Sequence, residues 1–128
     1  MSETPVNVRY MVNDVQEAAD WYVEMLGFSR LPNASPAFAA VELGALRLLL
    51  SGKASSAGRP MPDGRQPEPG GWTRFQFIVE DIDAEAERLR AKGVTFRNAI
   101  IKGPGGSQVL VEDPSGNVVE LFQSAGWF

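Results

Sequence analysis

The sequence predicts an α+β fold: two βαβββ modules forming a curved eight-stranded sheet around a cavity, with the helices outside. Three observations predict it. An alternating strand followed by an aspartate-capped helix occupies residues 6–27 and recurs at residues 72–93. Further extended segments follow each helix, so the chain is an internal repeat. Between the repeats lies a proline- and glycine-rich stretch with almost no apolar content. One module alone would leave a sheet face bare, whereas two can curve their sheets round a shared interior. The chain therefore reads as one domain over 1–128, with a first module at 6–51, a linker at 52–71 and a second module at 72–124.

Residues 6–12 alternate, with Val6, Val8, Tyr10 and Val12 on one face and Asn7, Arg9 and Met11 on the other. Asp14 then offers an N-cap, and Glu17 completes an aspartate form of the capping box. The helix carries Val15, Ala18, Ala19, Tyr22, Val23 and Leu26 at helical spacing and ends at Gly27. Trp21-Tyr22 reads as core. Residues 28–31 predict a short strand, 32–36 a loop, and 38–43 and 46–51 two strands joined at Gly44-Ala45. The linker holds Pro60, Pro62, Pro67, Pro69 and five glycines. A structureless loop of that length is unusual inside a compact domain and reads as a lid, a crossover or disorder. Its Lys53, Arg59 and Arg65 are either solvated or part of a lid.

In the second repeat, residues 72–79 form a strand with Phe75, Phe77 and Val79 on one face and Arg74, Gln76 and Ile78 on the other. Asp81 or Asp83 caps a helix with a narrow buried stripe, Ile82, Ala86 and Leu89. Arg90 sits at the stripe's edge, stem packed and head in water. Lys92-Gly93 ends this helix. Residues 95–101 predict a strand, 102–106 a turn, and 107–112 and 118–123 the last two strands. Asp113-Pro114 opens the turn between them and Gly116-Asn117 closes it. In the last strand Glu120 places one carboxylate among apolar residues, where it needs a metal, a basic side chain or a ligand.

Composition narrows the chemistry. A net charge of −4 argues against a nucleic-acid footprint. With no cysteine, disulfides, thiolate metal sites and cysteine nucleophiles are excluded. With no histidine, the commonest general base and transition-metal ligand are gone as well. Any metal would need an all-oxygen site, which suits magnesium, calcium or manganese. No apolar run approaches the roughly 20 residues that span a bilayer, so no membrane partner is expected. The N-terminus lacks the pattern of a signal peptide, and a cytoplasmic location is expected. Trp127-Phe128 either packs on a partner subunit or frays.

Three pieces of sequence carry a resemblance. The first is Val12-Asn13-Asp14, leading to Ala19-Asp20-Trp21-Tyr22 and Leu26-Gly27-Phe28. The second is Val79-Glu80-Asp81-Ile82, leading to Ala91-Lys92-Gly93-Val94. The third is Glu112-Asp113-Pro114-Ser115-Gly116-Asn117, leading to Val119-Glu120-Leu121. Together they resemble the vicinal oxygen chelate superfamily, the glyoxalase, bleomycin-resistance and extradiol dioxygenase family. The resemblance implies metal ligands on the first and last strand of each module. Counting back from Asp14 and Asp81 puts two of these positions on Asn7 and Arg74, and the hairpin glycines align Leu48 with Glu120. Only Glu120 is an ordinary ligand in that set, so no metal and no cofactor are expected.

The resemblance also makes the strands of Arg74 and Glu120 neighbours facing the interior. The two either form an ion pair that satisfies both charges, or Arg74 joins Asn7, Arg9 and Gln76 in anchoring the polar end of a ligand, with Glu120 orienting it. A third reading makes Glu120 a general base. Trp72, beside Gly70-Gly71, is either core or a flat ring closing over a planar ligand. Phe38, Leu48 and Phe122 line the same cavity, with Met11, Leu46 and Leu50; the leucines read as core first.

The expected function is a metal-independent small-molecule binding protein that resembles the bleomycin-resistance branch. It would sequester a planar or amphipathic compound, such as an antibiotic, and pair as a homodimer. The alternatives are a lyase or dioxygenase of the glyoxalase type, a metal-free isomerase using Glu120, and a module that associates with a partner protein.

Overall fold

A computed structural model describes residues 6–32 and 35–126. Trp127 and Phe128, expected to pack on a partner or to fray, lie outside these, as do Asn33 and Ala34 of the first loop. The fold is α+β. The chain divides into two compact units, Met1–Gly70 and Gly71–Phe128.

In the first unit, β1 (Asn7–Met11) leads into α1 (Val15–Leu26), followed by β2 (Ser29–Arg30), β3 (Phe38–Leu43) and β4 (Leu46–Ser51). These strands form one mixed sheet in the order β1-β4-β3-β2, with β1 parallel to β4. The Asp14 side chain accepts from the Glu17 backbone N–H at 3.0 Å, which supplies the expected N-cap. Gly27 closes the helix at φ 77°, a left-handed residue that costs a glycine least. The helix packs on β3 and β4. Its Ala18, Ala19 and Tyr22 are fully buried, as are Val41, Leu48 and Leu50 of the sheet. Tyr22 stands edge-on between Trp21 and Phe28, with ring centroids at 4.9 and 5.5 Å, so this aromatic cluster is core.

In the second unit, β5 (Gln76–Ile78) leads into α2 (Ile82–Ala91), then β6 (Thr95–Phe96), β7 (Ile101–Gly103), β8 (Gly106–Glu112) and β9 (Val118–Ser124). The sheet runs β5-β9-β8-β6, with β7 also on β8 and β5 parallel to β9. Asp81, not Asp83, caps α2, accepting from the Ala84 N–H at 3.1 Å. The Gln123 amide oxygen accepts from the Ile82 N–H at 2.9 Å and ties that helix end to β9. The buried stripe is Ile82, Ala86 and Leu89, as the spacing predicts, and the Arg90 guanidinium lies 4.5 Å from the centre of the Phe96 ring.

Three expectations shift. The described residues hold nine strands in two sheets, because residues 95–101 divide between β6 and the start of β7. The strand expected over 72–79 shrinks to Gln76–Ile78. Gly70 and Gly71 both take positive φ, 104° and 85°, and the chain turns there before the strand begins. The linker is built from turns. It includes a short 3₁₀ turn at Ser56–Gly58, and at Gly58 an added Cβ would lie 2.4 Å from the Lys53 carbonyl oxygen.

Candidate functional site

Glu120 sits at the centre of β9 and is 7% exposed. A carboxylate buried to that degree requires donors. It has two: Arg74 Nε donates to Oε1 at 3.0 Å, and Gln76 Nε2 donates to Oε2 at 2.8 Å. Parallel pairing makes this possible. Gln76 stands in register with Glu120, and the Glu120 N–H bonds the Phe75 carbonyl just before β5. Arg74 lies outside the strand, but its Nη1 also donates to the Trp72 carbonyl at 3.2 Å, so its own side chain folds the approach segment back. The ion-pair reading of Arg74 and Glu120 is thus the one realised in the structure. Both charges are compensated while the Arg74 side chain keeps 30% of its surface exposed.

A second pair lies on the same sheet. Arg97 Nε donates to Glu112 Oε2 at 2.7 Å, and its two Nη groups donate to the carbonyls of Gly71 at 2.9 Å and Gly116 at 3.0 Å. Its guanidinium centre lies 4.5 Å from the Trp72 ring centroid, a cation–π contact. Trp72 nevertheless remains 68% exposed, so it is a supported surface ring and not core. Arg97 is absent from the sequence-based site. The signal that could have found it is the one that found Glu120: a charge in a segment read as a strand, beside the apolar Phe96.

In the first unit, Asn7, Arg9 and Phe38 share the sheet face opposite the helix. Arg9 Nη1 donates to Ser51 Oγ at 2.8 Å. An open groove of about 370 Å³ on this face takes in Asn7, Phe38, Arg47 and Leu49. A larger cavity of about 450 Å³ lies between residues 11–13 and 66–69, with Lys53 on its wall, so part of the linker serves as lining. Leu48 belongs to neither. It is fully buried on the face that meets α1, as is Leu50, and Leu46 shares their alternation. The expectation that Leu48 matches Glu120 is corrected by register. Arg9 pairs with Leu49 as Gln76 pairs with Glu120, so Leu49 is the counterpart. Hairpin glycines mislead because the two turns differ in length, and a slip of one residue reverses the face. Phe122, 8% exposed, shares the Glu120 face by alternation.

A family model described as the Glyoxalase/Bleomycin resistance protein/Dioxygenase superfamily matches residues 5–121. The chain belongs to this superfamily. Solved structures agree. A superfamily member from Sphaerobacter thermophilus DSM 20745 is 27% identical, with TM-score 0.76 over 97% of this chain and 99% of that one. TnmS3, an antibiotic binding protein from Streptomyces sp. CB03234, is 27% identical, with TM-score 0.71 over 98% of each chain. A lactoylglutathione lyase from Agrobacterium tumefaciens is 20% identical, with TM-score 0.75 over 98% of this chain and 97% of that one, a likeness of fold. A search of curated proteins finds no match.

The metal that resemblance to glyoxalase-type enzymes implies does not fit these residues. In the second unit the positions are Arg74, a cation, and Glu120, both of whose oxygens accept hydrogen bonds. In the first they are Asn7 and a leucine, whichever of Leu48 and Leu49 is taken. Among the described residues, no three or more His, Cys, Asp or Glu side chains gather in a group that could hold a metal. Also among them, no helix is long and apolar enough to cross a membrane.

Proposed function

We propose that this superfamily member is a metal-independent binding protein that sequesters a planar or amphipathic small molecule. The observation that carries the proposal is the state of Glu120. Arg74 and Gln76 occupy both carboxylate oxygens, which leaves the group poorly suited to coordinate a metal or to take a proton from a substrate. What remains available nearby suits binding: unused N–H donors on Arg74 and the exposed ring of Trp72. Likeness to TnmS3, described as an antibiotic binding protein, supports a binding role. Likeness to the lyase supports the fold alone. The protein acts as a homodimer in this reading. Support comes from β1 and β5, each at the end of a sheet, with Val6 just before β1 and Ile78 on β5 both exposed.

Titration with a panel of planar aromatic compounds, followed by tryptophan fluorescence, should give saturable quenching that Trp72→Ala abolishes. Dialysis against nickel, zinc, manganese and iron should leave the protein without bound metal. One tightly held ion per chain would overturn the metal-independent reading.

A further inference from the structure

The two glutamates that face the Trp72 site are each paired with an arginine. Glu120 accepts at both oxygens, and Glu112 accepts from Arg97. The donors are in surplus. A guanidinium carries five N–H groups. Arg74 spends one on Glu120 and one on the Trp72 carbonyl, and its side chain is still 30% exposed. The ring adds a second asymmetry. Arg97 holds one side of Trp72 at 4.5 Å, so a cation already draws on the π-electrons of the indole. A cationic ligand stacked on the other side would share that π-system with Arg97 and feel its charge through the ring. An anionic one would not compete with Arg97 for the ring, and Glu112 offsets the Arg97 charge.

We infer that the ligand of this site is a planar aromatic anion, an aryl carboxylate or phenolate, which stacks on the open side of Trp72 and takes its acceptor contact from Arg74. This inference rests on the binding reading above and adds the charge of the ligand to it. The net charge of −4 on the whole chain does not decide against an anion. Exposed charges more than about 8 Å away are screened at physiological salt. At contact distance Glu120 and Glu112 balance Arg74 and Arg97, so the preference rests on the N–H donors that Arg74 has left for an anion's acceptors.

Three probes of one shape test the inference on the full chain by isothermal titration calorimetry: 2-naphthoate, 2-naphthamide and 2-naphthylmethylammonium. The expected order is naphthoate, naphthamide, then the ammonium compound, with about tenfold or more between the first and the last, the scale of one charge-assisted hydrogen bond. The double variant Arg74→Met/Glu120→Gln removes both partners and leaves no buried charge alone. It should bring the ratio between naphthoate and naphthamide close to one. If the ammonium compound binds as tightly as naphthoate, the charge assignment is overturned while the aromatic site stands. If none of the three binds, the aromatic site itself is lost, and this inference with it.

Discussion

In the first module Arg9 stands in register with Leu49 and donates to a serine hydroxyl; in the second, Gln76 stands in register with Glu120 and donates to a carboxylate. The repeat thus holds the same strand pairing and opposite chemistry. Leucine at the centre of β4 asks nothing of its neighbours. Glutamate at the centre of β9 demands two donors, and the chain supplies Arg74 from outside the strand and Gln76 from within it. One substitution in a shared scaffold therefore recruits a network, and that network then fixes the path of the segment that carries Trp72. The fold tolerates either chemistry because the buried helix-side faces, with Val41, Leu48 and Leu50 in one module and Val109, Val111, Val119 and Leu121 in the other, do not depend on it.

The largest test breaks the second face. Arg74→Met leaves Glu120 buried with Gln76 alone, and urea unfolding should show a loss of about 3 kcal/mol, the lower range for an orphaned buried charge. Making the second face resemble the first, with Arg74→Met/Glu120→Leu, should recover most of that loss. If the double variant is no more stable than the single one, the cost lies in packing and not in charge.

Next in size is Ser51→Ala on the first face. Ser51 is fully buried and accepts from Arg9. Because Arg9 is exposed and can turn to water, the expected loss is about 1 kcal/mol, one neutral acceptor's contribution. A loss as large as that of Arg74→Met would show that both faces rest on their arginines equally.

A smaller effect asks whether the first face can host the chemistry of the second. Leu49→Glu should be partly compensated by Arg9, its register partner. A double-mutant cycle with Arg9→Met should give a coupling of about 0.5 kcal/mol, the scale for exposed pairs. Zero coupling would mean that register alone does not bring the two side chains together.

These comparisons also show which features could be read from the chain. The helices were legible because their signals are local: Asp14 and Asp81 cap them, and the apolar spacing between caps and glycines matches the buried residues. Glu120 is legible as an anomaly, a charge in an apolar strand, while its pairing with Arg74 is one of the readings that the resemblance opens by making their strands neighbours. The face that Leu48 takes is not legible because it depends on register between strands distant in sequence, which hairpin glycines do not report. The start of β5 is not legible because alternation continues through residues 72–75, while the two glycines and the bond from Arg74 to the Trp72 carbonyl set the local path. Arg97 is not legible as a site residue because most of what defines it is backbone brought near by folding, the carbonyls of Gly71 and Gly116.

A small expected effect on stability belongs to the residue with the largest expected effect on binding. Trp72 is 68% exposed, and the ring contact it makes with Arg97 is a surface cation–π interaction worth about 0.5–1 kcal/mol. Trp72→Ala should therefore lower stability by no more than about 1 kcal/mol, and Arg97 should keep its three hydrogen bonds to Glu112, Gly71 and Gly116. A bound ligand stabilises the folded state by mass action, by about 2.7 kcal/mol at a hundredfold excess over its dissociation constant. With 2-naphthoate at that excess, the melting temperature of the parent chain should rise and that of Trp72→Ala should not. If both rise equally, the ring is a bystander. If the variant melts far below the parent without ligand, the ring is structural. A small loss of stability combined with a complete loss of the ligand shift is the pattern of a side chain kept at the surface for what it binds.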